Sequence, residues 1–364
     1  MKSIAVEGTS YSYDPVTHTI NVSGTNHGTF DASTHVESVT LASGGVLALD
    51  MDGGSFTFTA PTNGSNGGST TVIPFVLADN DGDTASSTLS ITLSNQDHHP
   101  IVRDDHVITN VTGGSGTSIA IPDYALLFND SDVDGQTISI AGVSNLVGGN
   151  SVTHAGGGVT FVDNNATGGS FTYTGTTSAP VASDTGDVTV DRSQSGTTLT
   201  GTGLGEILLG RDGTNNIINA NEGNDVLLGG NGTDTLNGGA GNDLLAGNAG
   251  GDTLTGGAGA DHFRFNAPTD GMDHITDFSG TGGQGDTIDI AGAAFGGLAA
   301  GALPASLFVA NAGGNFTDPA QRFAFDTASH TLYYDADGSG AGAKVALAHL
   351  ENAATITAAD IRIV

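Results

Sequence analysis

The chain has no cysteine and no tryptophan, and only 8 of its 364 residues are Lys or Arg. Without cysteine there is no disulfide framework, no thiol nucleophile and no thiolate site for a soft metal. The 39 acidic residues leave a formal net charge of −31, which repels nucleic acid and anionic membranes. No apolar run is long enough to span a bilayer, and the opening MKSIAVEGTSYSYDP lacks the apolar stretch of a secretory leader. Neither nucleic-acid partners nor membrane insertion are expected. Common catalytic motifs are missing too: there is no HExxH and no GxSxG. The GGxG runs lack the lysine and helix of a phosphate loop. The eleven histidines are scattered, and His98 and His99 fall in a linker-like stretch where solvation is the simpler reading. No enzymatic activity is expected.

What the chain has in abundance is glycine, 58 residues of it, and from Gly229 much of it is periodic. GGNGTDTLN, GGAGNDLLA, GNAGGDTLT and GGAGADHFR are four consecutive nine-residue units ending at Arg264, each with aspartate sixth and an apolar residue eighth. Nine residues make one short strand and one tight turn, so the units bury nothing until they stack into a solenoid. With two units per turn, residues eighteen apart lie above one another. Asp225, Asp243 and Asp261 then align along one edge and Asp234 with Asp252 along the other. Leu227, Leu236, Leu254, Phe263 and either Leu245 or its neighbour Leu244 point inward as a thin core. Carboxylates about 5 Å apart repel by about 3 kcal/mol at an effective dielectric near 20, and the repulsion recurs at each turn. A divalent ion is needed to offset it. Carboxylate and carbonyl oxygens suit calcium, in several copies, better than magnesium or zinc.

These units resemble the repeats-in-toxin (RTX) family, whose repeats form a right-handed parallel β-roll with calcium between the turns. The resemblance runs from about Gly201 to Val364. It implies calcium at Asp225, Asp234, Asp243, Asp252 and Asp261, completed by glycine-turn carbonyls at Gly230, Gly232, Gly239, Gly241, Gly257 and Gly259. Upstream the pattern frays. GTGLGEILL has Leu204 for a glycine and Glu206 for the aspartate, and GRDGTNNII offers Asn215 or Asn216, so the first one or two sites are expected to be weak or empty. Downstream, DHITDFSGTGGQGDTIDI is similar to the segment that caps such rolls, with Asp277, Asp286 and Asp289 as the matching carboxylates. The final LYYDADGSG…DIRIV resembles the family's C-terminal ends, which carry an uncleaved signal for type I export from Gram-negative bacteria. By its own pattern it reads as a strand at Leu332 to Tyr334, a turn at DADGSG, and an apolar edge at Val345, Leu347 and Leu350.

The first half repeats itself on a longer scale. SVTLASGG at Ser38 and GGSFTFT at Gly53 return as SVTHAGGG at Ser151 and GGSFTYT at Gly168. Alternating pairs such as Phe56 and Phe58, Leu89 and Ile91, or Phe171 and Tyr173 give each stretch one buried face, as in antiparallel β-sandwiches. The expected fold is therefore all-β: two sandwich domains at 1–98 and 99–195, a β-roll at 196–265, and a β-rich cap at 266–364. NDSDVDGQTISI places Asp130, Asp132 and Asp134 in calcium-loop order, yet the twelfth position is Ala141, which excludes an EF-hand. It resembles instead the LLxNDxDxDG stretch of cadherin-like repeats in bacterial surface adhesins. Asp79, Asp81 and Asp83 form the matching acidic turn of the first domain, and Asp104 and Asp105, just after the Pro100 linker, are candidates to complete an interdomain calcium site. Calcium ligands and plain hairpin turns are both open readings of these loops. The resemblances imply the C-terminal part of a large secreted adhesin or biofilm protein at the bacterial surface, partnered by calcium, the type I exporter, and a host or abiotic surface, glycan or protein. The alternatives are the noncatalytic tail of an exported hydrolase and a ligand-binding sandwich module.

Overall fold

The computed structural model describes residues 3–6, 9–14, 16–24, 28–41, 45–50, 55–59, 70–78, 84–92, 98–178 and 181–364. Asp79, Asp81 and Asp83 lie outside them. The chain is all-β, 51% strand and 5% helix, as its period-two patterning and abundant glycine turns require. It divides into two compact units, Met1–His99 with Asp132–Gln136, and Pro100–Ser131 with Thr137–Val364.

In the first unit, strands Thr19–Ser23, Thr9–Asp14, Ser3–Val6, Thr70–Ala78 and Thr84–Thr92 form one antiparallel sheet, and Thr29–Asp31, Val36–Thr40, Val46–Asp50 and Ser55–Thr59 form another. Val6, Tyr11, Val39, Leu47 and Ile73 from the two sheets share one buried cluster. Phe58 of the edge strand packs against it, whereas Phe56 on the same strand stays 47% exposed.

The second unit begins with a three-stranded sheet, Ser118–Pro122, Gly158–Asp163 and Gly149–Ala155, whose Ile119, Ile121 and Phe161 meet Phe171, Tyr173 and Val188 of a facing sheet. That facing sheet runs Ser139–Val147, Gly168–Thr176, Ser183–Asp191 and Asp105–Thr109, and it does not stop there. Asp105–Thr109 pairs in parallel with Ser183–Asp191 on one side and with Ile207–Leu209 on the other, so the sheet passes straight into the repeats. The division expected between residues 195 and 196 is bridged by this shared sheet. Nothing in local composition marks a pairing between segments a hundred residues apart.

The repeats coil as two parallel sheets. One carries Ile207–Leu209, Val226–Asn231, Leu244–Ala249, His262–Phe265, Thr287–Ile290 and Ile361–Ile363; the other carries Thr198–Thr200, Ile217–Glu222, Thr235–Ala240, Thr253–Ala258, Asp273–Ile275 and Val345–Leu350. Val226 pairs with Leu244 and Thr235 with Thr253, an offset of eighteen residues. Leu208, Leu227, Leu245 and Phe263 meet Leu199, Ile218, Leu236 and Leu254 in the coil's interior. Leu245 is thus the inward residue. Leu244 faces the opposite way with Val226 and Leu228, onto Tyr124, Leu127 and Phe128 around the short helix Asp123–Leu126. The cap supplies the last two rungs, and Phe295, Phe323 and Tyr334 close the end of the core with ring centroids 4.9–6.2 Å apart.

Candidate metal centre

Each coil edge carries a ladder of carboxylates. On one, Oδ1 of Asp225, Asp243, Asp261 and Asp286 accepts the backbone N–H of Glu206, Asp225, Asp243 and Asp261 at 2.7, 2.8, 2.9 and 3.0 Å. On the other, Oδ1 of Asp234, Asp252 and Asp273 accepts from the N–H of Asn216, Asp234 and Asp252 at 2.6, 2.7 and 3.1 Å. The spacing arises because the sixth residue of each unit leaves its turn where the rung above begins.

The second oxygens tell a different story. Asp225, Asp234, Asp243, Asp252 and Asp261 are 0–1% exposed, and Oδ2 of all five has no hydrogen-bond partner among the described residues. Each unit's first glycine leaves room beside that oxygen. A Cβ built at Gly238 would stand 2.2 Å from Asp243 Oδ2 and 2.7 Å from the Gly256 carbonyl oxygen, and one at Gly229 would stand 2.5 Å from Asp234 Oδ2 and 2.8 Å from the Gly247 carbonyl oxygen. Two acceptors therefore face one side-chain-free space. The turn glycines Gly230, Gly232, Gly239, Gly241, Gly257 and Gly259 all adopt positive φ. At Gly259 (φ 140°) a Cβ would come within 1.8 Å of the Gly241 carbonyl oxygen, so the stacking itself demands glycine.

Burial pushes these carboxyls up: Asp225 and Asp261 to about 7, Asp243 and Asp252 to about 6, and Asp234 upward as well. For Asp225 and Asp261 the like charges of neighbouring rungs add to burial. Such oxygens need protons or a cation. Among the described residues no three His, Asp or Glu side chains converge as a ready ligand cluster. The rungs keep successive carboxylates a strand apart and leave backbone carbonyls to complete the shell, which fits calcium's all-oxygen, flexible coordination.

The upstream end is built differently. Glu206 is buried, but its carboxylate takes the Thr202 N–H at 3.1 Å and the Thr202 hydroxyl. Asn216, not Asn215, occupies the ladder. Its Nδ2 reaches the carbonyls of Arg211, Thr214 and Gly229 at 3.1, 2.9 and 3.0 Å and Asp234 Oδ1 at 3.0 Å, the kind of acceptor set that a cation would otherwise unite. Asn215 is exposed and belongs to an outer row, its Oδ1 accepting from Thr233 N–H at 3.1 Å, as Asn224 and Asn242 accept from Asn242 and Ala260.

Downstream, Asp277 caps the N–H groups of Gly256 and Gly257 at 3.0 and 2.8 Å, while Asp286 joins a ladder and also accepts from Ser279 N–H at 2.7 Å. Asp289 leaves the set: it pairs with Arg362, and although burial raises its pKa, hydrogen bonds from His262 and Arg362 bring it below the usual value. Asp273, which sequence reasoning passed over, is the carboxylate that closes the second ladder; it is 1% exposed and pushed by burial to about 8. DHI at Asp273 repeats the DHF of Asp261 to Phe263, and the interval of 21 instead of 18 hides it.

The acidic loops separate into different environments. Asp132 Oδ1 accepts from the N–H of Asp134 and Gln136, the hydrogen bonds of a polar turn, and Asp134 takes the His98 N–H at 2.7 Å with the imidazole nearby. Asp104 Oδ1 accepts the Asp187 N–H at 2.9 Å. Asp130 takes the Arg103 N–H and the Tyr173 hydroxyl at 2.8 and 2.9 Å, and Asp105 is buried beside it, pushed by desolvation and the charge of Asp130 to about 8.

A parallel coil with two rows of buried, cation-demanding aspartates defines a calcium-binding β-roll. Residues 211–245 and 238–267 match the family model of the RTX calcium-binding nonapeptide repeat, and this segment belongs to that family. No curated protein matches the chain. Among solved structures, the AlgE6R3 subunit of the Azotobacter vinelandii mannuronan C5-epimerase is similar at 30% identity over 45% of this chain and 76% of that one, with a TM-score of 0.24. An endo-fucoidan hydrolase of glycoside hydrolase family 107 is similar at 13% identity over 40% of this chain and 21% of that one, with a TM-score of 0.17. Likenesses this loose do not bear on what the chain does.

Proposed function

We propose that this chain is the calcium-dependent C-terminal module of a secreted bacterial adhesin, folded by calcium after type I export, with residues 1–98 and 99–195 as sandwich repeats that present or space an adhesive surface. The ligands of the roll are Asp225, Asp234, Asp243, Asp252, Asp261 and Asp273 with glycine-turn carbonyls. The observation that carries the reading is the two rows of buried Oδ2 atoms, five in all, without a donor among the described residues. Where calcium is scarce those oxygens repel and the acidic chain stays open and threadable; at the roughly millimolar calcium that extracellular modules use, it closes. RTX repeats are typical of secreted proteins, and no helix among the described residues is long and apolar enough to cross a membrane. Calcium titration followed by circular dichroism tests the switch. A large gain of β signal, reversed by EGTA, is expected; a roll fully ordered in EGTA at neutral pH would sink it.

A further inference from the structure

We infer that the cleft between the preceding β-domain and the first strands of the roll binds a saccharide whose ring carries an anionic group, with Arg211 as the cation that meets it. The inference deepens the adhesive reading, and it rests on the calcium switch only in that the roll must be folded for the cleft to exist.

The cleft holds about 480 Å³, the size of a small-molecule site. Ser118, Ile119 and Ala120 of the β-domain form one wall, and Leu209, Arg211 and Asn248 of the roll stand on the other. A turn with one residue too many builds this second wall. Leu209 pairs with Leu228, nineteen residues on, but Ile217 pairs with Thr235, only eighteen on, so the turn between Leu209 and Ile217 carries an insertion that the next rungs lack. Arg211 and Asp212 lie in that turn and line the cleft. Arg211 donates from Nε and Nη1 to the hydroxyls of Thr214 and Thr112 at 3.0 and 2.9 Å, which leaves Nη2 without an acceptor among the described residues. Arg192 and Arg362 pair with buried aspartates, whereas no described carboxylate pairs with Arg211.

The polar wall is fixed in advance of any ligand. Arg264 stacks 3.8 Å from the Tyr124 ring centroid and donates from Nε to Asn266 Oδ1 at 2.8 Å, and Asn266 Nδ2 in turn holds the Tyr124 hydroxyl at 3.3 Å and Asn248 Oδ1 at 2.9 Å. Asn248 stands at φ 64° in the second place of its unit, where the other three units have glycine, so the coil carries a side chain there that its stacking does not require. Asp212 uses only Oδ1, on the Asn231 N–H at 3.0 Å. Donors and acceptors side by side over the apolar Ile119 and Leu209 suit the hydroxyls and C–H faces of a sugar ring, and an unpaired guanidinium suits a carboxylate or sulfate on it. An extended peptide fits less well, because the strand Ser118–Pro122 beside the cleft ends in a residue with no N–H to give. The net charge of −31 opposes an anion at a distance, but physiological salt screens that field within about 8 Å.

The test uses the full chain in millimolar calcium, its fold checked by circular dichroism, and titrations followed by saturation-transfer NMR with digalacturonate, sulfated galactobiose and plain galactobiose. The two charged sugars separate carboxylate from sulfate as the group recognised. At least one of them is expected to bind about tenfold or more tightly than plain galactobiose, the range for a hydrogen bond to a charged group, and Arg211→Gln is expected to erase that advantage. Should Arg211→Gln misfold, Asn248→Gly restores the glycine of the other units and is expected to keep the circular dichroism while weakening the binding of the charged sugar. Equal binding of charged and plain sugars, no binding of either charged sugar by the folded chain, or unchanged affinity in folded Arg211→Gln, or in Asn248→Gly where it has to stand in, would overturn the site. Preference for tetraglutamate over the sugars would overturn it as well and make the cleft a peptide site. A folded, calcium-dependent roll that binds no sugar leaves the switch standing, whereas a roll that folds in EGTA and still binds the charged sugar refutes the switch and keeps the cleft.

Discussion

Asn216 and the aspartates above it differ by one group, and that group decides whether a rung needs metal. At Gly229 and Gly238 the side-chain-free space faces an aspartate Oδ2 and a carbonyl oxygen; at Gly210 it faces Asn216 Nδ2, 2.8 Å from the built Cβ, and the Gly229 carbonyl oxygen at 2.3 Å. The amide's own hydrogens satisfy the acceptors that a cation would otherwise bridge. Asn216→Asp replaces that donor by an oxygen and gathers three carbonyls and two carboxylates with nothing between them. The variant is expected to bind one more calcium by isothermal titration and to be less ordered than the parent in EGTA, with its order restored by calcium. The converse, Asp243→Asn, is expected to lose at least one ion. An ion held at a hundred times its dissociation constant contributes about 2.7 kcal/mol, so its removal should lower the urea midpoint measurably in millimolar calcium.

At the scale of the element, alternate rungs have different outsides. Around the inward leucines, DVLL and DLLA put Val226, Leu228, Leu244 and Ala246 on the outer face of one sheet, and all four are buried under the preceding β-domain. DTLN and DTLT put Thr235, Asn237, Thr253 and Thr255 on the outer face of the other, and these are exposed or half-buried. Leu228→Ala is expected to cost about 2–4 kcal/mol, by transfer and cavity terms, in urea melts at saturating calcium. Asn237→Ala, at the corresponding place of the next rung, should stay within about 0.5 kcal/mol. Equal losses would mean that the apolar outer face carries no packing. The nine-residue period fixes the rungs, the eighteen-residue register and the aspartate rows, because all three depend on local spacing alone. The apolar outer face is also written in the repeats, but its partner is not: the strand Asp105–Thr109 and the helix Asp123–Leu126 reach it through pairing at long sequence separation. Asp273 escaped for the same kind of reason, its rung having lengthened while its role stayed fixed.

For the whole molecule, calcium and protons compete for the same oxygens, and the sign of the pH effect follows. Asp225, Asp243, Asp252, Asp261 and Asp273 have pKa values of about 6–8 in the folded metal-free coil against 3.8 for an ordinary aspartate. The folded coil therefore retains protons that the unfolded chain releases. Stability from this source is complete below 3.8 and is lost as pH rises through 6–8. One pKa unit is worth about 1.4 kcal/mol, so five such carboxyls together put at stake more than the whole stability of an ordinary domain. In EGTA the β signal is expected to be strong at pH 5 and to fall between pH 6 and 8. In millimolar calcium it should stay high at pH 8, and the calcium midpoint should rise as pH drops below 7. General repulsion from a net charge of −31 would also ease toward acid, but salt distinguishes the two causes. Sodium chloride at 0.5 M screens exposed charges within about 5 Å and cannot supply a ligand to a buried Oδ2. If it restored the metal-free coil at pH 8 as fully as calcium does, diffuse charge and not the aspartate ladders would govern folding.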